Sequence, residues 1–208
     1  MNRTEWFREL RLGAAGGLSI AIGGAVFLLA DNKLAGAFLF SVGLFTICTM
    51  GLNLFTGKAC GLVRDRSGKY LARLAVIWIG NLIGAAAAGV LLSFTRLSEK
   101  LIPAAQAVCA AKLAQSPGST FILAVFCNIL IWLAVTGFRE IKDPVGKYLA
   151  LILGVTVFVA CGFEHCVANM FYLAMAQLYT GQALLFLLIC TAGNVAGAVL
   201  IPLLGGPK

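Results

Sequence analysis

Charged and apolar positions fall into long separate blocks along this chain. Lys, Arg, Asp and Glu are absent from Leu12 to Ala30, Leu34 to Gly57, Leu74 to Thr95 and Leu113 to Phe138, and from Tyr148 to Pro207 apart from Glu164. A helix needs about 20 apolar residues to cross the hydrocarbon of a bilayer. The first four blocks each hold one span and the last is long enough for two, so the pattern predicts six transmembrane helices. The connections are short except the one after the third span, from Arg96 to about Gln115. Its Pro103, Lys112 and small residues fit a re-entrant or surface helix.

Composition supports the same reading. Of 208 residues, 61% are hydrophobic and 12% charged, about half the charge of an ordinary soluble domain. The remaining polar sequence cannot cover a soluble core of this size, so the chain reads as one all-α integral membrane domain over residues 1–208. A cleavable signal peptide fits the first block poorly, because its apolar run is too long and no small-x-small pattern follows. The net charge of +8 is placed for topology. Arg3, Arg8, Arg11, Lys58, Arg64, Arg66, Lys69, Arg73, Arg139, Lys142, Lys147 and Lys208 lie on one side of the predicted spans, and Lys33, Arg96, Lys100 and Lys112 on the other. The positive-inside bias puts both termini in the cytoplasm of a cell membrane. Removing the spans leaves no folded basic surface, which excludes nucleic acid as a partner. The seven cysteines read as small buried hydrophobes. Cys161 and Cys166 have a spacing that suits neither a redox pair nor a structural zinc site, so no metal or cofactor is expected.

Two halves share a pattern. Gly80-Asn81-Leu82-Ile83-Gly84 and Gly193-Asn194-Val195-Ala196-Gly197 repeat GNxxG 113 residues apart, and the runs from Gly51 and from Gly162 lie 111 apart. Three spans per half force the second half to be inverted, which predicts inverted repeats over about 10–96 and 113–206. Spans two and five carry signs of breakage. Gly51, Asn53, Thr56 and Gly57 interrupt one; Gly162, Glu164 and Asn169 interrupt the other. Glycine weakens a helix, and Asn and Thr compete for its hydrogen bonds. A break at membrane depth must face protein or a wet cavity. Gly80, Gly84 and Gly89 along span three, and Gly193 and Gly197 at i, i+4 spacing along span six, permit close backbone approach within a protomer or between subunits.

The chemistry concentrates at one point. His165 is the chain's single histidine, next to Glu164 in Cys161-Gly162-Phe163-Glu164-His165-Cys166-Val167-Ala168-Asn169-Met170-Phe171. An ionisable pair inside hydrocarbon calls for a partner, a cavity or a function. Read alone, His165 is either a satisfied polar residue between packed helices or part of a solute pathway. Adjacent helical residues point about 100° apart. Glu164 is therefore expected to face away from the pore and tie the broken helix to the backbone or to a basic loop, with proton donation as its second reading.

The run from Gly162 to Phe171 resembles the fifth-span signature of the formate/nitrite transporter family, and Asn53-Leu54-Phe55-Thr56-Gly57 is similar to its second-span motif. The likeness spans the whole chain. Asn53 departs from the family, where many members have an acidic residue. The resemblance implies a homopentamer of aquaporin-like, hourglass-shaped protomers with helices two and five broken, each with a pore for a small monovalent anion. It implies a pore centre of His165, Thr56, Asn128 and Asn169. One constriction, on the cytoplasmic side, would be formed by Phe40 and Leu44 and the other by Leu54 and Phe158. Lys112 would stand in the extracytoplasmic vestibule, and Asn53 and Glu164 would make the polar contacts of the broken helices.

A bare anion is costly to desolvate between apolar rings and a neutral acid far less so. The expected function is therefore passive or proton-coupled transport of a small weak-acid anion, formate or nitrite first, with a proton and membrane lipid as further partners. Hydrosulfide or another short monocarboxylate is the alternative, and an aquaporin-like neutral-solute channel the second; the paired Asn-Pro-Ala turns of aquaporins are missing here. No HExxH or other catalytic cluster is present, so an enzyme is not expected.

Overall fold

A computed structural model describes residues 2–206; Lys208, counted among the cytoplasmic charges, lies outside the described residues. Ten α-helices make up the described chain: α1 Arg3–Leu29, α2 Lys33–Phe40, α3 Val42–Met50, α4 Phe55–Ala59, α5 Gly68–Ser93, α6 Ser98–Leu113, α7 Pro117–Glu140, α8 Pro144–Ala160, α9 Cys166–Met175 and α10 Gly181–Leu203. Their starts follow local chemistry. Asn2 and Glu5 close a capping box on α1, Asn32 caps α2, and Ser116-Pro117 and Asp143-Pro144 open α7 and α8. In each case a side-chain oxygen accepts from a first-turn N–H, and in α7 and α8 proline occupies the position that needs none.

Among the described residues five helical stretches are long and apolar enough to cross a membrane: α1, Lys33–Met50 (α2 with α3), α5, α7 and α10. The fifth predicted span is divided instead into α8 and α9, of 17 and 10 residues, each short for a crossing on its own. Exposed Leu18, Ile22, Ile83, Phe126, Leu153 and Leu188 present an apolar exterior that suits lipid. The protein is an all-α, multi-pass membrane protein. The connection after α5 folds into α6, which buries Leu101, Ala105 and Cys109.

Helix α1 packs along α5, and α7 along α10. The contact is close enough that a Cβ on Gly80 would lie 2.6 Å from Leu10 O, and one on Gly193 2.5 Å from Phe121 O. These glycines therefore serve packing inside the protomer. Two chain breaks meet between the pairs. Gly51 and Gly162 end α3 and the α8 turn in left-handed conformations, with φ of 67° and 68°, where a side chain would be strained.

Each break is then held by an asparagine. Asn81 Nδ2 donates to Gly13 O (2.7 Å) and Asn53 O (2.9 Å), and its Oδ1 accepts from Phe55 N–H (2.8 Å). Asn194 Nδ2 donates to Ala124 O (2.9 Å) and Glu164 O (2.8 Å), and its Oδ1 accepts from Cys166 N–H (2.9 Å). The N–H groups of Asn53 and Glu164 reach Leu12 O and Leu123 O at 3.2 and 3.4 Å. Backbone groups freed by the breaks thus find partners away from lipid. Helix α9, whose ten residues are all buried, occupies the centre.

Candidate functional site

His165 enters α9 from an extended conformation (φ −107°, ψ 113°) and caps it. Its Nδ1 lies 3.1 Å from Ala168 N–H and its Nε2 2.9 Å from Thr56 Oγ1. A backbone N–H can only donate, so Nδ1 presents its lone pair. A neutral ring then carries its proton on Nε2 and donates to the Thr56 hydroxyl. Thr56 O in turn accepts from Asn128 Nδ2 at 3.2 Å. Three elements far apart in sequence, α4, α7 and the break before α9, thus meet at the imidazole, which is almost wholly buried.

On one side of the ring lies a cavity of about 340 Å³, lined by Phe40, Phe158, His165, Lys112, Glu164 and Asn169 among others. Lys112 Nζ is 2.6 Å from Glu164 Oε2, Gln115 Nε2 is 2.7 Å from Oε1, and Asn169 Nδ2 is 2.8 Å from Oε2. Glu164 therefore does not turn away from the cavity that His165 lines. It faces it and ties α6 to the break, because the chain between Gly162 and Cys166 is extended and the 100° helical offset does not apply. Lys112 lines this cavity as half of an ion pair, so much of its long-range field is cancelled.

On the other side a smaller cavity of about 160 Å³ is lined by Leu44, Leu54, Lys58 and Arg139 with neighbouring apolar residues. This arrangement corrects the expected composition of the narrow regions. Phe40 does not share a ring with Leu44. Its ring packs edge-on against Phe158 at 6.0 Å between centroids, and Phe158 stacks on His165 at 5.5 Å. Leu44 lies a turn further along, about 6 Å by helical rise, and lines the Lys58 cavity with Leu54. The break at Gly51 brings Leu54 back to the level of Leu44. Phe40 and Phe158 line the Lys112 cavity together with His165, and Leu44 and Leu54 line the Lys58 cavity.

The profile described as Formate/nitrite transporter matches residues 2–205. The chain belongs to the formate/nitrite transporter family. It is 33% identical over 223 residues to a protein of Bacillus subtilis (strain 168) named "Uncharacterized transporter YrhG", covering 94% of this chain and 82% of that one. It is 34% identical over 160 residues to "Formate channel FocA" of Escherichia coli (strain K12), covering 69% of this chain and 53% of that one. A solved "Pentameric formate channel with formate bound" superposes with a TM-score of 0.85 at 25% identity, covering 99% and 97% of the two chains. An "FNT family ion channel" superposes at 0.80 and 27% identity, covering 97% and 90%. The chain thus spans about half the length of some curated relatives and most of others. The family is one of transporters and channels, and not of enzymes.

Some members of the polar network were not singled out from sequence. Gln115 holds the second oxygen of Glu164. Glu9 accepts from Asn53 Nδ2 at 2.7 Å and pairs with Arg73 at 3.0 Å. Asn81 and Asn194, noted only as parts of a repeated motif, are the brackets of the two breaks. The signal for them was present: an asparagine buried beside a packing glycine in hydrocarbon needs several partners. Two acceptors at the centre, Asn128 Oδ1 and Asn169 Oδ1, are buried with no donor among the described residues. Also among the described residues, no group of three His, Cys, Asp or Glu side chains is placed to hold a metal ion.

Proposed function

We propose that each protomer conducts a small weak-acid monovalent anion, formate or nitrite foremost, through a pore that runs past His165. The observation that carries this reading is the buried imidazole bonded to Thr56 beside two cavities, one lined by Phe40 and Phe158 and the other by Leu44 and Leu54. The naming of curated relatives as formate channels and the close fit to a formate channel with formate bound support it.

Moving a bare anion past Phe40 and Phe158 into a dry slot costs on the order of tens of kcal/mol in a low-dielectric medium, and moving a neutral acid costs a small part of that. The species crossing the apolar pairs is therefore the acid with its proton. His165 donates from Nε2 to Thr56 or, during passage, to the solute. Asn169 Oδ1 and Asn128 Oδ1 offer acceptors for the O–H of a neutral acid. Their lack of a donor favours a solute that brings one.

The same proposal places the Lys58 side and both termini in the cytoplasm, following the asymmetry of Lys and Arg. It reads the two halves as inverted repeats making an hourglass of six spans, with helices two and five broken. The matched roles of Asn81 and Asn194 support that reading. So does the hydrogen bond between Trp78 Nε1 and Thr191 Oγ1, 3.2 Å long and 113 residues apart in sequence. Assembly as a homopentamer in lipid is part of the same proposal, and the fit to a pentameric channel supports it. The test is uptake of labelled formate and nitrite by sealed proteoliposomes holding the purified protein. Saturable flux of either anion above protein-free vesicles is expected, and osmotic water flux with no anion flux would replace the reading with a neutral-solute channel.

A further inference from the structure

The two cavities differ in charge. On the Lys112 side the cation is matched by Glu164 at 2.6 Å. On the Lys58 side, Lys58 and Arg139 line one cavity of about 160 Å³, and among the described residues neither is joined to a carboxylate in an ion pair. Glu9, a carboxylate that acts electrostatically on Lys58, is already committed through Oε1 to Arg73 and through Oε2 to Asn53. Glu140 follows Arg139 in the chain and makes no such pair with it.

Lys58 is not a loose surface lysine. It sits half-buried in α4, two residues beyond Thr56, and Tyr70 Oη donates to its carbonyl at 2.7 Å, fixing that end of the helix. Arg139, in the last turn of α7, is exposed at the mouth. Two like charges facing a partly dry cavity repel each other, and an anion between them removes the repulsion. Leu44 and Leu54 also line this cavity, so an anion held there waits at the apolar pair that leads to His165.

The geometry points to a second anion-binding site, formed by Lys58 and Arg139, that captures a small monovalent oxyanion on the Lys58 face before it enters the pore. This inference rests on the reading of the chain as an anion pore. It adds an asymmetry: the Lys58 face binds the anion with uncompensated charge, and the Lys112 face does not.

The test measures formate flux at low ionic strength in membrane vesicles of opposite orientation, with the anion added to one face at a time. Lys58→Met is expected to raise the half-saturating formate concentration on the Lys58 face by about fivefold, the worth of one charge pair at contact in water. Lys58→Arg should keep it near the wild-type value, and both variants should leave the Lys112 face unchanged. Salt should erase the difference between Lys58→Met and wild type. Arg139→Gln, at an exposed position, carries the same test if Lys58→Met fails to assemble. Wild-type half-saturation on the Lys58 face in both neutralised variants, or an equal rise on both faces, would overturn the site and leave the pore standing. An absence of saturable anion flux in the wild type would instead retire the pore itself.

Discussion

Both ring nitrogens of His165 are engaged: Nδ1 receives the N–H of Ala168 at 3.1 Å, and Nε2 meets Thr56 Oγ1 at 2.9 Å. The first bond makes the ring the cap of α9 and fixes which nitrogen is left to face Thr56. The second delivers that nitrogen to a hydroxyl on α4. The imidazole is thus a structural cap on one edge and a hydrogen-bond donor on the other. These two roles can be separated by substitution.

His165→Asn keeps a side chain that caps helices well and removes the donor at the Nε2 position. The variant should assemble with near-normal yield while formate flux falls about tenfold or more, as expected for losing a buried hydrogen bond to the passing solute. His165→Phe removes both roles, so flux should be lost together with some stability. Labelled-formate uptake measured beside thermal unfolding separates the two effects. Wild-type flux in His165→Asn would show that the ring does not serve the solute.

The Lys112–Glu164 pair is buried on the carboxylate side, with side-chain exposures of 16% and 2%. Lys112→Met leaves Glu164 with only Gln115 and Asn169 as partners, and stranding a buried charge costs about 3–5 kcal/mol. The detergent-solubilised variant should unfold at clearly lower temperature. The double variant Lys112→Met with Glu164→Gln should recover most of the loss, since a neutral amide needs no counter-charge. A double variant no more stable than Lys112→Met alone would show that the pair's charge is not what holds α6 to the break.

Much of this molecule was legible in its sequence, for reasons that are local. Uninterrupted apolar blocks declare helices in lipid whatever they pack against. Gly51 and Gly162 mark the breaks because a left-handed turn excludes most other residues. His165 beside Glu164 marks the centre because such a pair is costly anywhere else in hydrocarbon. What could not be read depends on where the chain resumes after a break. Phe40 meets Phe158 and Leu44 shares a cavity with Leu54 across the breaks, and register is lost once a helix stops being a ruler. Glu9 looked like an ordinary charge ahead of the first span, since nothing in its own helix reveals that Asn53 lies 2.7 Å away.

That contact explains why an asparagine stands at position 53 here. Asn53 Nδ2 donates to Glu9 Oε2, and Glu9 Oε1 accepts from Arg73. A carboxylate at 53 would face a second carboxylate. Asn53→Asp should therefore lower stability by about 1–3 kcal/mol, the cost of a buried polar group left without its partner, and Glu9→Gln in the same chain should restore it by returning a donor to the pair. Thermal unfolding of the single and double variants checks this. An Asn53→Asp protein as stable as wild type would mean that the carboxylate at Glu9 has another route to neutralisation.

Asn81→Leu and Asn194→Leu each strand one carbonyl and one N–H of a break, while Gly13 O and Ala124 O keep their intrahelical partners. At about 1–3 kcal/mol for each unsatisfied group, the loss is a large part of the stability of a domain. Both variants should fail to yield a monodisperse oligomer on size-exclusion chromatography, whereas Leu82→Ala or Val195→Ala, one residue along, should assemble. Normal assembly of either asparagine variant would show that the breaks are held by packing alone.

The pH dependence of flux separates the two possible sources of the proton. Nδ1 of His165 accepts from Ala168 N–H, so a proton added there would set two donors against each other and undo the cap of α9. If the solute instead brings its own proton from water, flux at a fixed total formate concentration follows the neutral-acid fraction. That fraction grows about tenfold for each unit that the pH falls, above the acid's own pKa. Wild-type vesicles should show this slope, and His165→Asn should show the same slope at a lower level. A step in the wild-type profile that disappears in His165→Asn would assign the proton to the imidazole and require the Ala168 bond to open during transport.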